Sequence, residues 1–262
     1  MREVETLPEN LPGGVRIGPL TQAAPGVLLF EVPGIARYLI SHGNSIEVAV
    51  AKNADRKAVA LFLHNSARGT LIHQRGELPL NAATLVAPNW KCVAICAASP
   101  LGKSTLAAAL CRAGWKLMAD SLTRITWNET MAIAWASDDS VQLWRNSCEA
   151  LKLDPEKYVR VREGLEKFYV PVPAATTPTR LSVVVHFWLG TEAAIKRPTL
   201  EAAMTLIGDD TYRPRQIDPL GCRAAHARLV RQVAESCQSF FLEGARKSSL
   251  SGVIRLLSEA IR

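Results

Sequence analysis

The sequence predicts an α/β fold, a core of mixed sheet with flanking helices, plus a small β-rich subdomain at the N-terminus. Two observations support this prediction. From residue 81 onward, apolar strand-like runs alternate with segments of helical periodicity. Before residue 36, prolines and glycines separate short apolar runs. We therefore expect a β-rich subdomain with a linking helix over residues 1–75 and the main domain over residues 76–262.

The N-terminal subdomain is expected to contain short strands and one helix. Residues 27–32, 37–40 and 46–50 are short apolar runs typical of strands. Over residues 55–73 apolar side chains recur at helical spacing, which predicts the linking helix. This helix should lead into a short strand at residues 78–80.

The main domain is expected to alternate strands with helices. The predicted strands are residues 82–87, 92–96, 116–119, 124–127, 131–135, 181–189 and 239–242. The predicted helices are residues 103–113, 141–151, 200–207, 221–236 and 250–261. Sheets built in this order bind ligands at the carboxyl ends of their strands.

Composition and charge narrow the class of protein. The formal net charge of +7 favours anionic partners such as nucleotide phosphates or an acidic peptide. The basic residues are scattered, so we expect no nucleic-acid partner. No apolar run reaches the roughly 18–20 residues of a membrane span, and the first residues are acidic rather than typical of a signal peptide. We therefore expect a soluble cytoplasmic protein with no membrane partner.

Cysteine and histidine spacing predicts neither a zinc site nor a disulfide framework. No two cysteines form a C-x-x-C pair, and the histidines form no recognisable metal-binding pattern. His186 lies within the predicted strand 181–189, where we expect a hydrogen-bonded core histidine rather than a ligand. Cys92, Cys96 and Cys111 are expected to pack in the core. All six cysteines are expected to be reduced: Cys92, Cys96, Cys111, Cys148, Cys222 and Cys237.

A candidate phosphate loop lies between the predicted strand 92–96 and the helix that begins near residue 103. In the pattern G-x-x-x-x-G-K-[ST], loop amides and a helix N-terminus bind phosphate oxygens, a lysine neutralises them and a hydroxyl reaches Mg²⁺. A helix start capped by serine or threonine is the alternative interpretation. The nine predicted cofactor-binding residues are Ala97, Ala98, Ser99, Pro100, Leu101, Gly102, Lys103, Ser104 and Thr105.

The loop departs from the pattern at its first position, where Ala97 replaces glycine. If the backbone there requires a positive φ, alanine costs roughly 1–2 kcal/mol. If φ is negative, the cost is small. The strand before the loop and the helix after it favour nucleoside triphosphate binding, with ATP or GTP and Mg²⁺ as cofactors.

Phosphoryl transfer also needs a carboxylate that binds the metal or accepts the proton of the attacking hydroxyl. Asp120 follows the predicted strand 116–119, directly after the helix of the loop. A single aspartate after a strand is often only a cap. The phosphate-loop motif that precedes Asp120 is what supports its assignment as the carboxylate of the site.

These residues together resemble the C-terminal catalytic domain of HPr serine kinase/phosphorylase, a fold related to phosphoenolpyruvate carboxykinase. The resemblance is carried by residues 102–110, Gly114 and residues 117–120, and extends to residues 71–83, 143–145, 161–167 and 211–215. It is closest to the HPr-kinase-like serine kinases associated with lasso-peptide gene clusters. It spans about residues 35–260, although only the phosphate loop is specific by itself.

The resemblance implies roles for individual residues. Lys103 would bind the β- and γ-phosphates, Ser104 or Thr105 would bind Mg²⁺, and Asp120 would be the catalytic base beside the metal. Four basic residues could bind phosphates or an acidic peptide substrate, although a solvated surface is the ordinary role of such residues: Arg162, Lys167, Arg213 and Arg215.

Several positions depart from the family pattern. Asn81 stands where the family often has histidine, Ser121 where it has a second acid, and Asn146 where we expect aspartate. Asparagine cannot exchange a proton near neutral pH. With Ala97, these changes suggest weakened Mg²⁺ binding or reduced activity.

Three hypotheses follow from the sequence. The first is an ATP- and Mg²⁺-dependent kinase of a serine in a peptide or small protein, such as a lasso-peptide precursor, with Asp120 and Lys103 as catalytic residues. The second is a degenerate pseudokinase that binds nucleotide or peptide without turnover. The third is a nucleotide-dependent transferase with another donor group. The sequence leaves open whether the chain forms a homo-oligomer.

Overall fold

The computed structural model describes residues 1–98, 102–190, 193–245 and 250–262. The predicted loop residues Ser99, Pro100 and Leu101 lie outside the described residues. Within the described ranges, no helix is both long enough and apolar enough to cross a bilayer. The chain divides into two compact units: unit 1 is Met1–Pro79, Val161–Leu165 and Tyr212–Leu229, and unit 2 is Leu80–Arg160, Glu166–Thr211 and Val230–Arg262.

Unit 1 is built on a six-stranded sheet in the order β1-β6-β5-β4-β3-β2. β1 pairs with β6 in parallel, and the other neighbours are antiparallel. In β5 alternate residues are buried, which is the side-chain period of a half-buried strand. The strands are β1 (Arg2–Glu3), β2 (Val15–Gly18), β3 (Thr21–Ala24), β4 (Val27–Val32), β5 (Ala36–Ser41) and β6 (Ser45–Val50).

A helical stretch follows this sheet, as the apolar spacing over residues 55–73 predicts. It consists of α1 (Arg56–Phe62), a π-helical turn (Leu63–Ala67) and α2 (Arg68–Gln74). Asp55 caps α1 by accepting a hydrogen bond from the Lys57 amide at 2.9 Å. The core of unit 1 centres on Tyr38, whose hydroxyl donates to the Val59 carbonyl at 3.0 Å.

β7 (Leu78–Leu80) contains the first point at which the chain passes between the units. The predicted domain boundary at residues 75 and 76 lies a few residues earlier. The assignment of residues 161–165 and 212–229 to unit 1 was not predicted, because it depends on contacts between segments that are distant in sequence.

The main sheet of unit 2 runs in the order β10-β8-β9-β16-β12-β11, with β18 on β16 and β17 on β18. β16 is parallel to β9 and β18, and the remaining pairs are antiparallel. β8 and β9 are buried along their whole length. The strands are β8 (Ala82–Val86), β9 (Cys92–Cys96), β10 (Lys116–Ala119), β11 (Thr123–Asn128), β12 (Met131–Ala134), β16 (Thr179–Gly190), β17 (Ala194–Lys196) and β18 (Gln238–Ala245).

A second, antiparallel sheet of unit 2 has the order β13-β15-β14, with β13 (Ser140–Trp144), β14 (Val159–Arg160) and β15 (Lys167–Pro171). The helices that follow α2 in the chain are α3 (Lys103–Arg112), α4 (Arg145–Ala150), α5 (Leu200–Asp209), α6 (Arg223–Ser236) and α7 (Leu250–Ala260). α6 contains the last passage of the chain between the units, at residues 229 and 230.

The predicted α/β class, with mixed sheets and helices, is confirmed. One predicted element is wrong: residues 141–151 do not form a single helix. Val141 and Leu143 alternate with more exposed neighbours in β13, and the helix α4 begins only at Arg145. The alternation has period two, but over five residues it is too short to be distinguished from a helical pattern by sequence. Strands β14, β15 and β17 were not predicted.

Candidate active site

The candidate phosphate-binding segment joins β9 to α3 within unit 2. Gly102 has φ +85° and is the N-cap residue of α3. Glycine adopts this left-handed conformation without steric cost, and it has no side chain with which to cap the first N–H groups of the helix. The start of α3 therefore offers amide donors and the positive end of the helix dipole to an anion.

The alanine at the start of the segment has an ordinary backbone. Ala97 is buried at 2 % exposure, and it is not among the described residues with positive φ. Its methyl group therefore carries no left-handed strain. Of the two cases that the sequence left open, the structure has the one in which alanine costs little.

Lys103, the first residue of α3, is a buried cation held by two neutral acceptors. Its Nζ donates to Asn81 Oδ1 at 2.8 Å and to the Ala97 carbonyl at 3.0 Å. Burial lowers the pKa of Lys103, while the nearby charge of Asp120 opposes this shift. An ammonium group has three donors, so these two hydrogen bonds leave one for a phosphate oxygen.

The next residue of α3, Ser104, contacts the carboxylate at the end of β10. Ser104 Oγ donates to Asp120 Oδ1 at 2.8 Å and lies 3.1 Å from Oδ2. Asp120 Oδ2 also accepts from the Gln142 amide at 2.9 Å. The fold thus brings the two predicted metal-binding residues into direct contact.

Asp120 is only 4 % exposed, and its environment sets its proton affinity. Burial raises the pKa of Asp120, while the hydrogen bonds from Gln142 and Ser104 and the charge of Lys167 act in the opposite direction. A carboxylate has about four acceptor positions. Two donors leave capacity for a cation or for a proton from a substrate.

A second carboxylate, Asp138, stands beside Asp120 and was missed by the sequence analysis. Asp138 Oδ2 accepts from the Asp120 amide at 3.0 Å and from Ser137 Oγ at 2.7 Å. The amides of Ser137 and Asp138 donate to the Met118 carbonyl, which fixes the segment against β10. Ser121 removes an acid from the family pattern, but Asp138 supplies another from a different part of the chain.

Lys167 also belongs to this group of charges. It lies on β15, and burial lowers its pKa while the charge of Asp120 raises it. Its Nζ lies 5.6 Å from the centroid of the Trp144 ring, which is 45 % exposed. Lys167 and Lys103 are the predicted site lysines, and each interacts electrostatically with Asp120.

The structure separates the two adjacent hydroxyl residues of the motif. Thr105 Oγ1 donates to Ser147 Oγ at 3.0 Å, so its contact is with α4 rather than with Asp120. Ser104 is therefore the hydroxyl that stands beside the carboxylate.

The remaining predicted substrate residues belong to unit 1. Arg162 is half-buried, whereas Arg213 and Arg215 are exposed. Arg213 has φ +52°, and its Nη2 donates to Ser66 Oγ at 2.8 Å. Their roles in substrate binding stay predictions.

Comparison with known proteins gives a likeness in fold. No protein-family model and no curated protein matches this chain. Among solved structures, the chain is similar to the Hpr(Ser) kinase/phosphatase from Coxiella burnetii, at 10 % identity and a TM-score of 0.37. The match covers 70 % of this chain and 95 % of that one. At this identity and score the likeness identifies neither a subfamily nor an activity, so function must be argued from the residues of the site.

The start of α3, Lys103, Ser104 and Asp120 together offer groups suited to phosphate oxygens and to a divalent cation. A helix N-terminus and the Lys103 ammonium suit phosphate oxygens. The hydroxyl of Ser104 and the carboxylate of Asp120 are oxygen ligands of the kind that Mg²⁺ prefers. The raised pKa of Asp120 makes it a stronger base than an exposed aspartate.

Proposed function

We propose that the chain is a phosphotransferase that uses ATP or GTP with Mg²⁺ and transfers the phosphoryl group to a serine hydroxyl of a peptide or small protein. The contact between Ser104 Oγ and Asp120 Oδ1, at 2.8 Å, carries this proposal. It joins the first turn of the phosphate-binding helix to a buried carboxylate, and Lys103 lies beside both.

In this proposal each residue has a chemical task. The amides at the start of α3 and the ammonium of Lys103 bind and neutralise the phosphates. Ser104 and Asp120 would hold Mg²⁺, with Asp138 as a neighbouring carboxylate. The bound ion would supply charge neutralisation at the phosphates.

Asp120 is also proposed as the base for the acceptor. It would take the proton of the serine hydroxyl on a carboxylate oxygen that Ser104 and Gln142 leave available. The Lys167 ammonium favours the ionised form of Asp120, which is the form that can accept a proton. Trp144, which lies against Lys167, presents an exposed ring beside this position.

The test is the transfer of labelled phosphate. The full chain is incubated with γ-labelled ATP or GTP, Mg²⁺ and a peptide that ends in serine, and the products are weighed. We expect phosphorylated peptide from the wild type, reduced at least about 100-fold in Lys103→Ala and Asp120→Asn. Asp139→Asn is the matched control, because Asp139 is an exposed carboxylate next to Asp138.

The outcomes separate the hypotheses. Equal labelling by wild type and both variants would contradict the assignment of the site. Thermal stabilisation by Mg·ATP without transfer to any acceptor would favour a pseudokinase that acts as a binding module. Transfer of a different group from the nucleotide would favour the third hypothesis.

A further inference from the structure

A second cluster of ligand-type side chains lies in unit 2, apart from Ser104 and Asp120. Cys96 is the last residue of β9, His186 lies on β16, and Asp210 is the C-cap residue of α5. Cys96 and His186 are direct partners in the parallel register of the two strands. The thiol sulfur, one ring nitrogen and one carboxylate oxygen all lie within 4.8 Å of one another.

Two of the three side chains in the cluster are buried, and the third is partly exposed to solvent. Cys96 is 0 % exposed and His186 is 3 % exposed. The side chain of Asp210 retains 20 % exposure, so the carboxylate marks the side of the cluster that solvent reaches.

The imidazole of His186 is hydrogen-bonded at one of its two nitrogens. Its Nδ1 contacts Asp210 Oδ2 at 2.7 Å, whereas its Nε2 is buried and has no hydrogen-bond partner among the described residues. Leaving a buried polar atom unpaired costs about 1–3 kcal/mol. His186 is the hydrogen-bonded core histidine that its place in the strand predicts, with Nδ1 as the bonded atom. An ion between the three side chains would bind Nδ1 in place of its contact with Asp210, and Nε2 would then carry the proton of the neutral ring.

We propose that Cys96, His186 and Asp210 form a binding site for one divalent transition-metal ion of the zinc class. Thiolate, imidazole and carboxylate are together typical zinc ligands, whereas Mg²⁺ and Ca²⁺ prefer oxygen alone. Three protein ligands leave a fourth position for water. In a tetrahedral site neighbouring ligand atoms lie roughly 3.4 Å apart, which the observed spacing approaches with small side-chain adjustments.

The charges of such a site balance. Burial and the charge of Asp210 raise the pKa of Cys96 well above its usual range, so the thiol keeps its proton without a metal. An incoming dication displaces that proton to solvent, and the S–H bond is exchanged for a metal–thiolate bond. Dication, thiolate, carboxylate and neutral imidazole then sum to zero. Binding exchanges one proton for a dication, so the charge of the cluster rises by one, from −1 to zero, and the occupied site carries no net positive charge near Lys103.

The ion would link the start of the phosphate-binding segment to the rest of unit 2. Cys96 directly precedes Ala97, whose carbonyl accepts from Lys103. The carbonyl of Asp210 accepts from the Asn81 amide at 2.8 Å, and Asn81 also contacts Lys103. Metal binding would therefore fix both acceptors of Lys103, a role distinct from that of Mg²⁺.

The test uses Co²⁺ as a spectroscopic probe on the full chain after dialysis against chelator. We expect one equivalent of Co²⁺ to produce a thiolate-to-metal charge-transfer band in the near ultraviolet, and one equivalent of Zn²⁺ to abolish it. Cys96→Ser should lose the band. Cys92→Ser is the matched control, because Cys92 is buried on the same strand but contacts Met118 Sδ at 3.5 Å.

Further measurements keep the test decisive if Cys96→Ser folds poorly. His186→Gln and Asp210→Asn should each weaken Co²⁺ binding at least tenfold, and Zn²⁺ should raise the thermal midpoint of the wild type. Absence of the band in the wild type, its persistence in Cys96→Ser, or its loss in Cys92→Ser overturns the proposal. Ser104→Ala should retain the band, so failure of the kinase proposal would leave this result unaffected.

Discussion

The hydroxyl of Ser104 donates to the carboxylate of Asp120 at 2.8 Å, which joins the first turn of α3 to the end of β10. The two residues are separated in sequence by the rest of α3 and by β10. Their contact gives oxygen ligands from two elements to a single position beside the helix N-terminus, which is the arrangement that a nucleotide-bound Mg²⁺ requires.

Ser104 and Thr105 should therefore differ in their effect on Mg²⁺-dependent nucleotide binding. We expect Ser104→Ala to weaken binding of Mg·ATP about tenfold, equivalent to about 1.4 kcal/mol. Thr105→Ala should change the affinity for Mg·ATP by less than about threefold, since the Thr105 hydroxyl donates a hydrogen bond to Ser147 instead. Calorimetric titration with and without Mg²⁺ measures both. Equal weakening by the two substitutions would show that Ser104 has no special role.

Lys167 should set the pH dependence of phosphoryl transfer. In the proposed reaction Asp120 accepts a proton only when it is ionised, so activity would be present above its pKa and lost as the pH falls through it. The charge of Lys167 lowers the pKa of Asp120. Lys167→Met should therefore raise that pKa and move the acidic limb of kcat/KM to higher pH.

The control for this prediction is Lys157→Met, which removes a lysine from an exposed position of unit 2. Its acidic limb should coincide with that of the wild type. If the two variants give the same profile, the effect of Lys167 is one of total charge and not of its position near Asp120.

A side chain at Gly102 should destabilise the protein, and the backbone conformation is the only reason for this. Its φ of +85° is in the left-handed region, although an added Cβ would meet no atom within 4 Å. We expect Gly102→Ala to lower the free energy of unfolding by about 1–2 kcal/mol. Gly208→Ala is the matched control: it has equally open space but lies within α5, where alanine should stabilise by roughly 0.5–1 kcal/mol. Urea denaturation of both variants checks the sign of each change.

His73 should make the protein sensitive to acid. Its Nε2 contacts the Tyr212 carbonyl at 2.8 Å, and burial lowers its pKa from 6.5 to about 4. Between these values the unfolded chain binds a proton that the folded protein excludes. Stability is therefore fully present above pH 6.5 and is lost as the pH falls towards 4. The shift corresponds to about 3 kcal/mol.

The measurement is the urea midpoint of unfolding at neutral pH and near pH 4.5. His73→Gln keeps a donor for the Tyr212 carbonyl but cannot titrate, so its stability should fall less on acidification. His64→Gln, at an exposed position, should behave as the wild type does. Parallel losses in all three proteins would assign the acid sensitivity to other groups.

Local sequence determined much of the fold. Apolar runs and turn residues predicted β9 (Cys92–Cys96) and β10 (Lys116–Ala119) at their observed bounds, and α3 (Lys103–Arg112) to within one residue. The candidate phosphate-binding motif was likewise predicted from consecutive residues, Gly102, Lys103 and Ser104. These features depend on propensity and periodicity over a few residues, and such information is contained in any short stretch of chain.

What the tertiary structure decided concerns residues that are far apart in sequence. Asp138 and Lys167 lie at Asp120, and His186 and Asp210 meet Cys96, because sheet register and helix ends bring separate segments together. The spacing of these residues along the sequence does not predict their contacts. The sequence by itself thus determined a helix start suited to phosphate. The structure decided which carboxylates and thiols surround it, because side-chain proximity across strands is set by how the whole chain packs.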